Sequence, residues 1–146
     1  MLEISHITKR YGAKIAVDDA TLAFPQGQIV GLFGENGAGK TTLMKSVLGL
    51  IPHQGTVTLD GEAITKKNID RLAFATCEHS FFPLLTAADH RDFYREHFPR
   101  FNEKRFTALL DFFQLPLKRA VGKFSVGMQN QFEVVMALSQ GADYIL

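Results

Sequence analysis

The first half of the chain is built from short apolar runs separated by turns, a pattern that predicts β-strands. In the best example, residues 2–7, apolar Leu2 and Ile4 alternate with polar neighbours before Ile7 follows. Strands are predicted at residues 2–7, 16–24, 28–33, 56–59 and 72–76. Turns are predicted at residues 9–12, 25–27 and 60–61, where Gly, Pro and Asp concentrate.

From Thr86 onward the periodicity becomes helical. Helices are predicted at residues 87–98, 103–115 and 126–139. Asn102 and Ser125 are placed to cap the second and third of these, and Pro116 ends the second. Tyr144 begins another apolar strand.

Phenylalanine is concentrated in this helical part. Of the 13 phenylalanines, 10 fall between Phe81 and Phe132. The simpler interpretation is the core of a helical subdomain, and the alternative is that part of the cluster faces a partner protein.

Composition narrows the class of protein. A length of 146 residues predicts one domain, and a net charge of +1 argues against broad attraction to nucleic acid. Cys77 is the single cysteine, so an internal disulfide is excluded and a reducing cytoplasm is expected. No apolar run approaches the ~18 residues of a membrane span, so no direct span is expected.

Residues 34–42, GENGAGKTT, carry the strongest chemical signal in the chain. They match the phosphate-binding pattern G-x-x-x-x-G-K-[ST] in full. The apolar run 28–33 ahead of them predicts a buried parallel strand, and residues 41–50 behind them predict a helix. The strand–loop–helix context expected of a phosphate site is therefore present.

The residue types in this loop suit a triphosphate. Glycines allow the backbone N–H groups to approach the phosphates, and the following helix directs its positive dipole end at them. Lys40 can reach the β- and γ-phosphates, and the Thr41 hydroxyl can ligate Mg²⁺. The alternative is a glycine-rich turn that matches the pattern by accident.

The order of motifs resembles the nucleotide-binding (ATPase) domain of ATP-binding-cassette (ABC) transporters, most closely the bacterial subunits that pair with separate membrane subunits. The resemblance spans nearly the whole chain. It is carried by Tyr11, by the phosphate loop, by Glu78 with Leu85-Thr86 downstream, and by residues 123–129, KFSVGMQ.

The resemblance implies an α/β fold: a P-loop NTPase mixed sheet with an antiparallel β edge and a helical insert. Residues 1–83 and 140–146 would form the α/β core with its β edge, and residues 84–139 the helical subdomain with the signature helix. The chain looks like the first part of a longer domain, truncated at the Walker B strand. Without the carboxylates that follow that strand, the 146-residue chain is expected to bind nucleotide weakly and without turnover.

The resemblance also implies site residues for ATP and Mg²⁺. Tyr11 would stack on adenine, and Glu78, which replaces the usual glutamine, would contact Mg²⁺ and the attacking water. Catalytic roles thus fall to Lys40 and Glu78, and metal contacts to Thr41 and Glu78. The loop residues expected to hold the nucleotide are Gly34, Glu35, Asn36, Gly37, Ala38, Gly39, Lys40, Thr41 and Thr42.

The signature segment would contact the ATP of a second domain through Ser125 and Gly127. Val126 stands where the family usually has the first glycine of the signature. Valine resists positive φ, so close backbone approach at this residue is not expected. Simpler interpretations stay open: Tyr11 as a turn residue, Glu78 as a solvated acid and Ser125 as a helix cap only.

The implied function is the ATP-binding subunit of an ABC transporter. Its partners would be a transmembrane permease subunit and a second ATPase domain, and it would lie in the cytoplasm at the inner face of the cell membrane, without nucleic acid. Two alternatives remain: a soluble ABC-type ATPase acting on ribosomes or DNA, and a nucleotide-dependent binding module without hydrolysis.

Overall fold

The computed structural model describes residues 1–76 and 78–146, so Cys77 lies outside the described residues. The chain divides into two compact units, Met1–Ile69 and Asp70–Leu146. The subdomain boundaries implied by the resemblance, at residues 83 and 139, stay a prediction.

The first unit is built on a four-stranded antiparallel sheet with the order β2-β1-β3-β4. The strands are β1 (Leu2–Tyr11), β2 (Lys14–Phe24), β3 (Gln54–Leu59) and β4 (Glu62–Ala63). The strands predicted at residues 2–7, 16–24 and 56–59 are confirmed. The hairpin turn at residues 60–61 is also confirmed, because it joins the paired strands β3 and β4.

A bulge in β1 explains the uneven spacing of its apolar residues. Leu2, Ile4 and Ile7 are all buried, although the last two are three residues apart. His6 between them has a φ of 56°, and the register with β2 and β3 shifts there. The extra residue returns the alternation to the buried face.

The turn predicted at residues 9–12 lies further along the chain. Tyr11 still belongs to β1, where it pairs with Lys14 of β2, and the tight turn is formed by Gly12 and Ala13. The ladder with β2 satisfies the backbone of these polar residues, so they remain extended. Tyr11 is therefore held on a strand end.

Helix α1 (Lys40–Val47) follows the phosphate loop directly. Its residues Leu43 and Val47 are buried, as the helical spacing predicts. The helix ends before Gly49, which has a φ of 67°, so it is shorter than predicted and Leu50 lies beyond it and is exposed.

The buried parallel strand predicted at residues 28–33 is wrong. The structure assigns these residues to no strand, and Ile29 and Phe33 are exposed. A parallel strand depends on ladder partners for its backbone hydrogen bonds. The sheet of this unit is antiparallel and consists of the four strands above, so it does not supply them.

The second unit contains three helices and a short parallel strand pair. The helices are α2 (Ala87–His97), α3 (Glu103–Phe112) and α4 (Val126–Ser139), and β5 (Leu72–Ala73) pairs with β6 (Tyr144–Ile145). The strand predicted at 72–76 is thus shorter than expected. The predicted caps are confirmed: Asn102 accepts a hydrogen bond from the N–H of Arg105, and Ser125 accepts one from Met128.

The phenylalanine-rich segment supplies the core of this unit. Phe106 and Phe132 are fully buried and Phe124 nearly so, packed with residues from all three helices. Phe81, Phe101 and Phe113 pack against that cluster. Phe112 and Phe82 are exposed, so the core interpretation accounts for most of the cluster and not for all of it.

Candidate nucleotide-binding site

The phosphate loop ends in a backbone conformation that requires glycine. Gly39 is the N-cap residue of α1 with a φ of 93°, and Gly37 has a φ of 85°. A β-carbon on Gly39 would overlap the carbonyl oxygen of Ala16. Glycine at position 39 is therefore required both by the backbone angle and by the packing against β2.

The N-terminus of α1 is left available to an anion. Among the described residues, no side chain caps this helix and its first turn contains no acidic residue. The first N–H groups of the helix, starting at Lys40, therefore lack the usual side-chain partner, and the helix dipole adds positive potential at the same place.

The ammonium group of Lys40 fixes the loop. Its Nζ donates hydrogen bonds to the carbonyl oxygens of Gly34, at 2.6 Å, and Glu35, at 2.8 Å. The N–H of Ala38 also donates to Glu35, at 3.2 Å, which closes a turn within the loop. An ammonium has three N–H donors, so Lys40 retains one for a phosphate oxygen.

Tyr11 and the phosphate loop line the same hollow, with a volume of about 360 Å³. Its lining residues are Tyr11, Lys14, Ala16, Asn36, Gly37, Gly39, Lys40, Thr41 and Thr42. The aromatic ring and the helix N-terminus predicted to hold the two ends of a nucleotide therefore border one cavity.

The ring of Tyr11 is held in place but remains accessible. The ammonium of Lys9 lies over it, 4.9 Å from the ring centroid, and also donates a hydrogen bond of 2.7 Å to the carbonyl oxygen of Pro52. About half of Tyr11, 51%, is exposed. A cation on a ring face is favourable, so Lys9 orients a ring that can still stack on a planar ligand.

Lys14 was missed by the sequence analysis. It lies opposite Tyr11 in the β1–β2 ladder and adds a positive charge to the hollow. Its signal was available: two strands joined by the tight turn Gly12-Ala13 place the flanking residues side by side. Because the turn was predicted at residues 9–12, the pairing of Tyr11 with Lys14 was not expected.

Donors and charges of the hollow fit a polyphosphate. The helix N-terminus, the ammonium groups of Lys40 and Lys14 and the hydroxyl of Thr41 offer hydrogen bonds and positive charge. Gly39 also lines the hollow, but the side on which its β-carbon would lie is filled by the carbonyl group of Ala16. The donors predicted from the motif thus border one hollow, and their contact with a phosphate stays a prediction.

The remaining predicted site residues belong to the second unit. Glu78 is exposed, and its backbone N–H donates to the hydroxyl of Thr76 at 3.2 Å. Ser125 and Gly127 are exposed at the start of α4, and a β-carbon on Gly127 would meet open space. Their contact with a nucleotide stays a prediction.

The structure does not require positive φ at Val126, the conformation that valine was expected to resist. Val126 is the first residue of α4, in a helical conformation that valine accepts, and 70% of it is exposed. Positive φ is not needed there.

No helix formed by residues 1–76 and 78–146 is long and apolar enough to cross a membrane.

The chain has relatives among proteins of known role. It is 37% identical over 92 residues to the Fe(3+) ions import ATP-binding protein FbpC 1 of Pectobacterium atrosepticum. This match covers 61% of this chain and 26% of the relative. It is 26% identical over 149 residues to the ABC transporter ATP-binding protein YtrB of Bacillus subtilis. This second match covers 100% of this chain and 51% of the relative. The chain thus spans about half or less of the length of these relatives.

The fold is shared with solved structures. The structure described as that of the ATP binding subunit of an ABC transporter superposes with a TM-score of 0.87, at 26% identity, covering 99% of this chain and 65% of the other. It confirms the predicted α/β class.

The sequence profile of the family described as ABC transporter matches residues 17–146. This match spans more than half of the sequence, so the chain belongs to the ABC transporter family.

Proposed function

We propose that this chain binds ATP with Mg²⁺ as part of the ATP-binding subunit of an ABC transporter. The single observation that supports it best is the hollow shared by Tyr11 and the uncapped N-terminus of α1. It offers an aromatic ring at one end and phosphate donors at the other, as an adenine nucleotide requires.

Within the hollow each residue has a distinct role. Residues 34–42 surround the phosphates with backbone N–H groups, and Lys40 offers its remaining donor to the β- and γ-phosphates. Thr41 would hold the metal through its hydroxyl, and Tyr11 would stack on the base. Mg²⁺, when bound, neutralises charge on the phosphate oxygens.

Further roles are proposed for residues of the second unit. Glu78 would contact Mg²⁺ and orient the attacking water, so Glu78 and Lys40 are the proposed catalytic residues. Ser125 and Gly127 offer a hydroxyl and a helix N-terminus to the nucleotide of a second ATPase domain. Exposure of both at the start of α4 supports this role, since a buried cap could not reach another molecule.

The proposed partners are a transmembrane permease subunit and that second ATPase domain. The names of the two relatives, an import ATP-binding protein and a transporter ATP-binding protein, support a role in transport. Hydrolysis of ATP by the paired domains would drive movement of a substrate through the permease. The subunit would act peripherally, at the inner face of the membrane.

Calorimetric titration with MgATP tests the binding step. The variant Lys40→Ala should bind about tenfold to a hundredfold more weakly, because a charge-assisted contact with the phosphates is lost. Lys67→Ala removes an equal charge from an exposed residue outside the hollow and should bind as the wild type does. Equal affinity of the wild type and Lys40→Ala would contradict the proposed site.

A further inference from the structure

A second cavity lies within the helical unit, apart from the phosphate loop. Its volume is about 170 Å³. Its lining residues are Ser80, Phe81, Phe82, His90, Phe93, Tyr94, Phe98, Glu133 and Met136. A cavity of about 150 Å³ holds a molecule the size of benzene, so this one has room for a small ligand.

Glu133 is an unusual residue for such a wall. It stands on α4 and is only 4% exposed, although carboxylates are rarely buried without a cationic partner. Its oxygens accept hydrogen bonds from the backbone N–H of Ser80, at 2.5 Å, and from the Ser80 hydroxyl, at 3.0 and 3.3 Å. These donors are neutral.

No lysine or arginine among the described residues pairs with Glu133. Its recorded ion-pair partner is His79, with Nδ1 3.9 Å from Oε1, and an imidazole is not a permanent cation. His90 does not serve as a cationic partner of Glu133 either. Its Nε2 accepts a hydrogen bond from Phe82, its other ring nitrogen contacts the carbonyl oxygen of Thr86, and burial lowers its pKa and favours the neutral ring.

Aromatic rings surround the rest of the cavity. Tyr94 and Phe98 stack with their centroids 4.6 Å apart, and Phe82 meets Phe93 edge to face at 5.9 Å. Phe82 and Phe93 are also partly exposed, by 53% and 38%, so they form the entrance. Burial, followed by the negative charge of Glu133, raises the pKa of Tyr94, which keeps the phenol neutral.

We propose that this cavity binds a small organic cation of the alkylammonium class, with Glu133 as its counter-charge and the rings of Phe82, Phe93, Tyr94 and Phe98 as its aromatic wall. Aromatic faces attract such cations most strongly where water is excluded. The ligand supplies the permanent positive charge that the buried carboxylate lacks. Its size is limited to about six non-hydrogen atoms by comparison with a benzene-sized cavity.

Tetramethylammonium is a suitable probe, and tert-butyl alcohol is a neutral molecule of similar shape. Met136 lines the cavity and Met44 lies on α1 in the other unit, so methyl-labelled methionine reports on both. In the 146-residue chain, tetramethylammonium should shift the NMR signal of Met136 and leave that of Met44 unchanged. tert-Butyl alcohol should require about tenfold more ligand for the same shift.

Two pairs of variants decide the roles of charge and ring. Glu133→Gln should weaken binding by about tenfold or more, whereas Glu96→Gln, which removes an equal charge from an exposed position on α2, should not. Phe82→Leu at the exposed entrance should weaken binding by about twofold to fivefold. Phe112→Leu, at an exposed phenylalanine outside the cavity, should not.

The proposal is overturned by any of three results. These are equal shifts with tert-butyl alcohol, unchanged affinity in Glu133→Gln, and equal affinity in Phe82→Leu and Phe112→Leu. If Glu133→Gln fails to fold, the phenylalanine pair still decides, because both substitutions lie at exposed residues.

Discussion

Gly39 packs so tightly against Ala16 that a β-carbon at position 39 would overlap the Ala16 carbonyl oxygen. This contact joins the end of the phosphate loop to the second strand of the sheet. It brings the start of α1 to the strand pair that carries Tyr11, and it fixes the distance between the two ends of the proposed nucleotide site.

The contact predicts a difference between two glycines of the loop. Gly37 has nearly the same φ as Gly39, 85° against 93°, but a β-carbon there would meet no atom within 4 Å. Gly39→Ala should therefore lower the free energy of unfolding by about 1–3 kcal/mol more than Gly37→Ala, because only the first overpacks against β2. Urea denaturation of both variants measures it, and equal losses would show that the backbone angle alone requires glycine.

Tyr11 should contribute to binding of the base and not of the phosphates. Tyr11→Ala should weaken ATP binding by about tenfold, in line with the 1–3 kcal/mol typical of a base stacked on an aromatic ring. Tyr11→Phe should retain the affinity. Binding of inorganic triphosphate, which has no base, is the control, and a parallel loss there would mean that Tyr11 supports the loop instead.

Ser125 has a structural and a proposed functional role that can be separated. Ser125→Ala should lower the free energy of unfolding by about 1 kcal/mol through loss of the cap on α4. Ser125→Asp should preserve the cap, but it places a negative charge where the nucleotide of a second domain is proposed to bind. Sedimentation with and without ATP should show that the ATP-dependent association of two domains is lost in Ser125→Asp. Association equal to that of the wild type would leave Ser125 as a cap only.

Acid should weaken the ion pairs of Asp143. A hydrogen bond from Arg100, and then one from Arg71 at 2.5 Å, hold the pKa of this carboxyl below its ordinary value. Because the pKa is lower in the folded state, the ion pairs stabilise the protein at pH values above the pKa of an unfolded aspartate, about 3.9. This stabilisation is lost as the pH falls through the pKa of Asp143 in the folded state. Asp143→Asn should therefore be less stable than the wild type at neutral pH, and the difference should shrink below about pH 4.

Thermal melts over that pH range measure the effect of Asp143. Asp92→Asn is the matched control, because Asp92 pairs with Arg91 and Arg95 at an exposed position where such pairs contribute little. A constant difference between Asp143→Asn and the wild type down to about pH 2 would contradict the assignment.

Local sequence was enough wherever one stretch of chain carries the whole interaction. The caps at Asn102 and Ser125 and the turn at 60–61 each depend on neighbours a few residues apart. For the same reason the apolar spacing of α1 predicted the burial of Leu43 and Val47, whereas Leu50, which the same spacing placed on the helix, is exposed beyond its end.

Tertiary structure decided the features that depend on distant partners. The apolar run at 28–33 has a strand-like composition, but without ladder partners in the antiparallel sheet it forms no strand. Lys14 enters the hollow only through the register between β1 and β2. Glu133 has the sequence pattern of an ordinary helix residue, and its burial depends on Ser80 and the aromatic rings, which come from residues 80–98. Sequence therefore determined which groups the protein possesses, and packing determined which of them meet, since burial and pairing are properties of neighbours brought together by the fold.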